Sequence, residues 1–238
     1  MERIEQHPIL SIETAETIHI TVDGRILEAR AGDTIAAALL ANGIRTFRHT
    51  ASHIMAQAVK RLYPHAKLTI GPAVDDGFYY DFDLEEKFTP ADLEKIEAEM
   101  KKIVKENLPL ERFTMTRGEA IEFFKEKDEP YKVELVENLP DGEEISFYRQ
   151  GEFTDLCAGA HLMSTGAVKA FKLTSATGAY WHGDSSKKML CRVYGTAFPK
   201  ASALEEHLAA VEEARKRDHN KIGRDLGYFT TVDIIGQG

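Results

Sequence analysis

Two short histidine and cysteine pairs set the strongest condition on any fold this chain adopts. One is His49-Thr50-Ala51-Ser52-His53, an HxxxH; the other, far along the chain, is Cys157-Ala158-Gly159-Ala160-His161, a CxxxH. Either pair alone says little, because an isolated HxxxH is as readily a solvated helix face. Four nitrogen and sulfur donors on two spacers suggest instead one centre closed by folding, metal-binding or hydrolytic. Such a fold must bring the pairs together across everything that lies between them.

The chain has 238 residues, enough for one large domain or two modest ones. With 43% hydrophobic and 29% charged residues it reads as an ordinary soluble globular protein. No apolar run approaches the length of a membrane span, and Met1-Glu2-Arg3-Ile4-Glu5 opens no secretory segment. A cytoplasmic protein without a membrane partner is therefore expected. Cys157 and Cys191 are too few for a disulfide scaffold, so free thiols or ligands are favoured over a bridge. The net charge of −9 argues against indiscriminate coating of nucleic acid. Charge is uneven, however: residues 81–129 are mainly acidic. In residues 167–200, Lys169, Lys172, Lys187, Lys188, Arg192 and Lys200 oppose only Asp184. That stretch is either a phosphate-neutralising patch or a solvated strand face.

Residues 18–30 alternate apolar and polar around Asp23-Gly24, which predicts a hairpin. A short apolar helix over 34–40 follows, stopped near Asn42-Gly43. Hairpin then helix is how a β-grasp module begins, but its remaining strands do not appear before His49. The next helix is predicted over 49–63. Its apolar stripe is Ala51, Ile54, Met55, Ala58 and Leu62, with His49, His53, Gln57 and Lys60 roughly opposite. The histidines thus face a polar cleft or solvent rather than the helix's core side. Strands are predicted over 67–74 and 78–83, joined at Asp75-Asp76-Gly77. Thr89 caps a helix that carries Leu93, Ile96, Met100, Ile103 and Val104. Thr116 and Glu119 form a capping box before a helix ending near Pro130. Beyond Pro130 the pattern turns to short strands, with a three-stranded meander over 169–175, 179–182 and 189–194. Ser202 to Glu205 reads as a capping box for a long helix with Leu204, Leu208, Val211 and Ile222 on one side.

The i, i+4 spacing puts His49 and His53 on one helical face. Cys157 and His161 would complete three imidazoles and a thiolate, a tetrahedral zinc set. A site with all four bound is structural; one with a free member is catalytic. Without metal, one histidine would activate a water while Cys157 lines the pocket or carries a proton. A cysteine nucleophile is allowed by residue type, but no protease-like signature surrounds Cys157. Asp155 would point the same way as Cys157 on a strand and could orient a histidine or a water. Cys191 reads as packing, and His182, in Tyr180-Trp181-His182-Gly183-Asp184, as a substrate contact or a surface residue. His7, His19, His65, His207 and His219 stand alone and read as incidental.

Several stretches now match a known family: His49-x-x-x-His53; Ile70-Gly71-Pro72 with Gly77-Phe78-Tyr79-Tyr80-Asp81; Tyr131-Lys132-Val133; Asp155-Leu156-Cys157; Gly178-Ala179-Tyr180-Trp181; and Met189-Leu190 through Tyr194-Gly195-Thr196-Ala197. From about Arg48 to Gln237 the chain resembles the editing domain and linker helix of bacterial threonyl-tRNA synthetases. The related alanyl-tRNA editing proteins share the HxxxH and CxxxH pairs but not the rest. The resemblance implies hydrolysis of serine wrongly attached to threonine tRNA. Serine lacks one methyl of threonine, a difference worth only about 1–3 kcal/mol in a binding pocket, so a second sieve is needed. It further implies catalytic roles for His49, His53, Cys157, His161, Asp155 and Lys132. Tyr80, His182, Lys169, Lys172, Lys188 and Arg192 would contact substrate or tRNA. In threonyl enzymes the cluster works without zinc, and in alanyl editing proteins it binds zinc. No cofactor is therefore required, with zinc on His49, His53, Cys157 and His161 as the option. The family usually has arginine and proline where this chain has Ala158 and Ala160, arginine at His182 and glutamine at Cys191. The residues of the family's class II catalytic core lie outside this sequence, so aminoacylation is not expected of it. A homodimer is expected only in the context of that core.

The N-terminus departs from the family. Asp23-Gly24-Arg25 and residues 31–40 look closer to the opening of a β-grasp iron–sulfur protein, yet no cysteine lies in residues 1–48. The expectation is an α+β protein in three parts. Residues 1–47 form a partial β-grasp-like hairpin and helix, 48–199 an antiparallel-sheet-plus-helices editing domain, and 200–238 a linker helix leading to the catalytic core. Rival readings are a non-catalytic tRNA-binding remnant, a zinc-binding alanyl-type editing protein and a zinc-binding structural domain.

Overall fold

A computed structural model describes residues 17–22, 25–30, 35–228, 231–232 and 236–237. The fold is α+β. Strands β1 (Thr17–Val22) and β2 (Arg25–Arg30) pair antiparallel, as the alternation predicts; the Asp23-Gly24 turn itself lies outside the described residues. Helix α1 then runs unbroken from Ile35 to Leu62. This overturns the helix stop near Asn42-Gly43, and the expected boundary between residues 47 and 48 falls inside α1. Gly43 meets no neighbour that would force a turn. A glycine within a helix costs only about 1 kcal/mol relative to alanine, less than a long buried helix recovers by packing. At its end Lys60 donates to the carbonyls of Pro64 and Ala66.

A five-stranded antiparallel sheet packs on α1. Its path runs β3 (Lys67–Leu68), β5 (Gly77–Asp83), β10 (Met189–Phe198), β9 (Ala170–Tyr180), with β4 (Ala73–Val74) also paired to β5. The hairpin at Asp75-Asp76-Gly77 is present, although the strand before it is split. The expected three-stranded meander is instead two long strands. Residues 170–180 are continuous, and His182 lies in the turn that follows, with φ of 55°.

Between them, in chain order, come α2 (Pro90–Glu106), β6 (Leu110–Met115), α3 (Arg117–Glu126), α4 (Pro130–Glu137), β7 (Ile145–Gln150) and β8 (Phe153–Leu156). Thr89 caps α2 and Thr116 caps α3, each closed by a reciprocal carboxylate, Asp92 and Glu119. Ile96, Met100 and Ile103 are fully buried from α2, as its stripe predicts. The passage after Pro130 is corrected: Pro130 opens α4 at a position where its missing N–H costs nothing. Strands β6, β7 and β8 form a second, three-stranded sheet whose Phe147 packs with Phe124 of α3 and Val136 of α4.

Helix α1 is the hinge of this arrangement. Ala51, Ile54, Met55 and Ala58 join the core shared with Phe78, Tyr80, Phe82 and Val193 of the large sheet. Its polar face turns to the small sheet: Gln150 donates to the carbonyl of His53 and to Gln57, and Gln57 donates to the carbonyl of Gln150. The solvent option for that face is thereby overturned, since His53 and Gln57 are both buried. After β10, residues α5 (Ala201–Lys216) and α6 (His219–Asp225) replace the single long helix expected. Lys200, not Ser202, is the N-cap, and its side chain makes no capping bond. Short strands β11 (Thr231–Val232) and β12 (Gly236–Gln237) pair last. Among the described residues no helix is long and apolar enough to cross a membrane.

Candidate functional site

The two pairs meet. Helix α1 presents His49 and His53, one turn apart, to the segment leaving β8. That segment is held in place by two bonds to β7: Cys157 N–H donates to the Ser146 carbonyl at 3.0 Å, and Ser146 Oγ donates to the Cys157 carbonyl at 2.7 Å. One nitrogen or sulfur from each of His49, His53, Cys157 and His161 falls within 4.8 Å of all the others. Cys157 Sγ is 3.5 Å from His49 Nε2 and 3.2 Å from His161 Nε2. The ring of His161 lies 4.3 Å from those of both His49 and His53. His53 and Cys157 are buried, His49 and His161 half-buried, and Ala158, Ala160 and Met163 exposed.

Close approach explains one residue of the CxxxH. A Cβ on Gly159 would lie 2.6 Å from His49 Cε1, so only glycine leaves room for that ring. Likewise a Cβ on Gly71 would strike the ring of Tyr80. Tyr80, on β5, reaches from the large sheet to Asp155 on β8, donating at 2.6 Å to Oδ2. Lys132, from α4, sits 2.5 Å from the other oxygen. Asp155 Oδ2 stands 4.0 Å from His53 Nδ1, a buried nitrogen with no hydrogen-bond partner among the described residues.

Burial governs the electrostatics. Desolvation lowers His49 to about 4 and holds His53 and His161 well below the ordinary imidazole value. All three are neutral near pH 7, with lone pairs available. The same burial pushes the Cys157 thiol up to about 12 and the Tyr80 phenol well above its usual value. In the absence of a cation the thiol is therefore protonated, which argues against a cysteine nucleophile.

This donor set fits zinc. With Zn–N near 2.0–2.1 Å and Zn–S near 2.3 Å, a tetrahedron has an N···S edge of about 3.5 Å, close to the 3.5 and 3.2 Å from Cys157 Sγ to His49 and His161; the full set spreads to 4.8 Å and would have to close around the ion. Neutral imidazoles are the form that binds metal. The cysteines do not fit an iron–sulfur cluster: such clusters take four thiolates, the sequence has two, and Cys191 is packed in the core of the large sheet.

The basic stretch does not form the site. Lys172 pairs with Glu97, Lys187 with Glu134, Lys188 with Asp83 and Arg192 with Asp81. Asp81, Asp83 and Glu97 come from the acidic segment 81–129 and Glu134 from α4, so these four side chains are paired within the fold. Asp81 and Tyr80 are adjacent on β5, so Arg192 lies on the opposite face of the sheet from the Tyr80 ring. Lys169 is exposed, and His182 bonds Glu134 at 3.3 Å rather than the cluster. Sequence reasoning missed Thr50, Ser146 and Tyr148. Thr50 is fully buried and bonded to His161 Nδ1, and the Tyr148 ring lies 4.4 Å from that of His161. The position of Thr50 inside the HxxxH was the one available signal.

Residues 145–194 match the second additional domain of threonyl and alanyl tRNA synthetases, and residues 15–60 match a 2Fe-2S iron-sulfur cluster binding domain. The latter span contains no cysteine. The chain is 62% identical over 196 residues to a threonine–tRNA ligase of Acetivibrio thermocellus, covering 82% of this chain and 30% of that protein. It is 65% identical over 188 residues to that of Clostridium tetani (79% and 29%), and 64% to that of Carboxydothermus hydrogenoformans (79% and 30%). The chain thus spans under a third of the length of these relatives.

Proposed function

We propose, from the match of residues 145–194 to the second additional domain of threonyl and alanyl tRNA synthetases, that this chain hydrolyses seryl ester from mischarged threonine-specific tRNA in the cytoplasm. It would do so as the editing portion of a longer synthetase or as a trans-acting deacylase. The observation that carries this reading is the convergence of His49, His53, Cys157 and His161 on one pocket backed by Asp155, Tyr80 and Lys132.

The reaction adds water across the aminoacyl ester. A neutral histidine accepts a proton as the water oxygen bonds to the carbonyl carbon; collapse breaks the bond to the terminal ribose oxygen, which takes a proton, releasing serine and tRNA. His53 is the residue best placed for the proton, because Asp155 lies beside its Nδ1 and would stabilise the imidazolium. Lys132 donates one hydrogen bond to Asp155, stays protonated and so keeps a cation beside the cluster as charge grows on the ester oxygen. His49 holds the substrate, while His161 faces Cys157 through its Nε2. Tyr80 keeps Asp155 in place.

Zinc is the second reading, favoured by the spacing of the four donors. His49, His53, Cys157 and His161 would hold it. When bound, it would supply a Lewis acid and, with one donor released, a site for water. Deacylation of seryl- and threonyl-tRNA by wild type and by the His53→Ala and Cys157→Ala variants tests the proposal. Preferential loss of seryl ester, abolished in the variants, is the expected result. Unchanged hydrolysis in the variants refutes it. Zinc at one per chain, lost in His49→Ala, is the signature of the metal form.

A further inference from the structure

We propose that Thr50 is a positioning residue that fixes His161 in its Nδ1–H tautomer, aiming a bare Nε2 lone pair at Cys157. The catalytic consequence rests on the deacylase reading; the tautomer does not.

The argument is a count of protons. Thr50 Oγ1 has three polar neighbours: the Thr46 carbonyl at 2.9 Å, the Leu162 backbone N–H at 3.0 Å and His161 Nδ1 at 3.2 Å. A hydroxyl has one proton to give and two lone pairs to receive with. The Thr46 carbonyl can only accept, so it takes the hydroxyl proton, the usual bond from a helical threonine to the carbonyl four residues back. The Leu162 N–H can only donate, which uses one lone pair. The remaining lone pair faces His161 Nδ1, and an N–H there lets the hydroxyl keep its shorter bond to Thr46 and gives the oxygen all three of its hydrogen bonds. The reverse tautomer would have to take the hydroxyl proton itself, which gives up the bond to the Thr46 carbonyl and leaves this fully buried oxygen with two hydrogen bonds in place of three.

With Nδ1 protonated, Nε2 of the neutral ring is an acceptor. It lies 3.2 Å from Cys157 Sγ, where it can receive the thiol proton or, equally, face a metal ion. One hydroxyl on α1 therefore ties together the HxxxH, the CxxxH and the following backbone. Sequence separation is no obstacle: Thr50 and His161 are 111 positions apart. The Tyr148 ring packs against that of His161, centroids 4.4 Å apart.

The test is nitrogen-15 NMR of the histidine ring nitrogens in chelator-treated protein, for wild type, Thr50→Ser and Thr50→Val. Wild type and the serine variant should both show His161 protonated at Nδ1. The valine variant, close in shape but without the hydroxyl, should show a mixture or the Nε2–H form. Its kcat for seryl-tRNA deacylation should fall about two- to tenfold, the worth of one neutral hydrogen bond, with KM little changed. Serine should restore it. Protonation at Nε2 in wild type overturns the proposal, and that result is available even if Thr50→Val fails to fold. An unchanged Nδ1–H form in a folded Thr50→Val protein also overturns it. A wild type with the Nδ1–H form that hydrolyses no seryl ester upholds the role of Thr50 and refutes only the deacylase reading.

Discussion

Tyr80 donates its phenolic proton to Asp155 across 2.6 Å, joining the large sheet to the small one through two almost wholly buried side chains. Tyr80→Phe removes the donor and leaves the ring in place. A hydrogen bond to a charged group is worth about 1.5–3 kcal/mol, so urea denaturation should show a loss in that range. Hydrolysis should fall as well, because Asp155 then has more freedom beside His53. A variant as stable as wild type would mean that Asp155 finds another partner.

Lys132 and Asp155 form the most buried ion pair at the site, with side chains 3% and 1% exposed. Removing only the cation, as in Lys132→Met, strands a carboxylate in the interior and should cost about 3–5 kcal/mol. Neutralising both partners, Lys132→Met with Asp155→Asn, should recover much of that stability but not the hydrolytic activity. Equilibrium denaturation of the two single variants and the double variant gives the coupling directly. Additive losses would show that the pair acts as two separate groups.

These partners show what the sequence could and could not disclose. Caps were legible at Thr89 and Thr116 because a threonine followed three residues later by a carboxylate is a local device. The stripe on α2 was legible for the same reason, since one helix and one core face decide it. Helix α1 was misread because it packs against two sheets at once. Its polar stripe, His53 and Gln57, satisfies itself on Gln150 of a distant strand, and periodicity cannot distinguish that from water. The basic stretch was ambiguous for the same reason: Asp81, Asp83, Glu97 and Glu134 pair with Arg192, Lys188, Lys172 and Lys187 through contacts that only the fold creates. That the two motifs converge was inferred from residue type; that Thr50 and Tyr148 contact His161 required the fold.

The histidine cluster makes the metal-free protein acid-sensitive. Burial lowers His49 from 6.5 to about 4, so between those values the unfolded chain binds the proton and the folded chain does not. Stability is fully present above pH 6.5 and falls as the pH drops toward 4. His49 alone contributes up to about 3 kcal/mol to that fall, and His53 and His161 act in the same direction. Denaturant midpoints with chelator present, from pH 8 to 4, should decline more steeply in wild type than in His49→Gln. Parallel curves would place His49 in solvent.

Gly159→Ala should damage the site and spare the fold. The added methyl would stand 2.6 Å from His49 Cε1 and 2.7 Å from Nδ1, inside contact distance. His49 cannot simply swing aside, because the His161 ring is 4.3 Å away and the His53 ring 5.1 Å away. Gly159 itself lies in the segment after β8 rather than in either core, so little apolar packing depends on it. Displacing one of four donors should weaken zinc binding about 10–100-fold, the range seen when a ligand loses its orientation, while the melting temperature of the chelator-treated protein stays near that of wild type. Seryl-tRNA hydrolysis should fall in parallel if His49 holds the substrate. Alanine at 159 with full zinc affinity would show that His49 is not a donor, and the closed four-donor site would then be wrong.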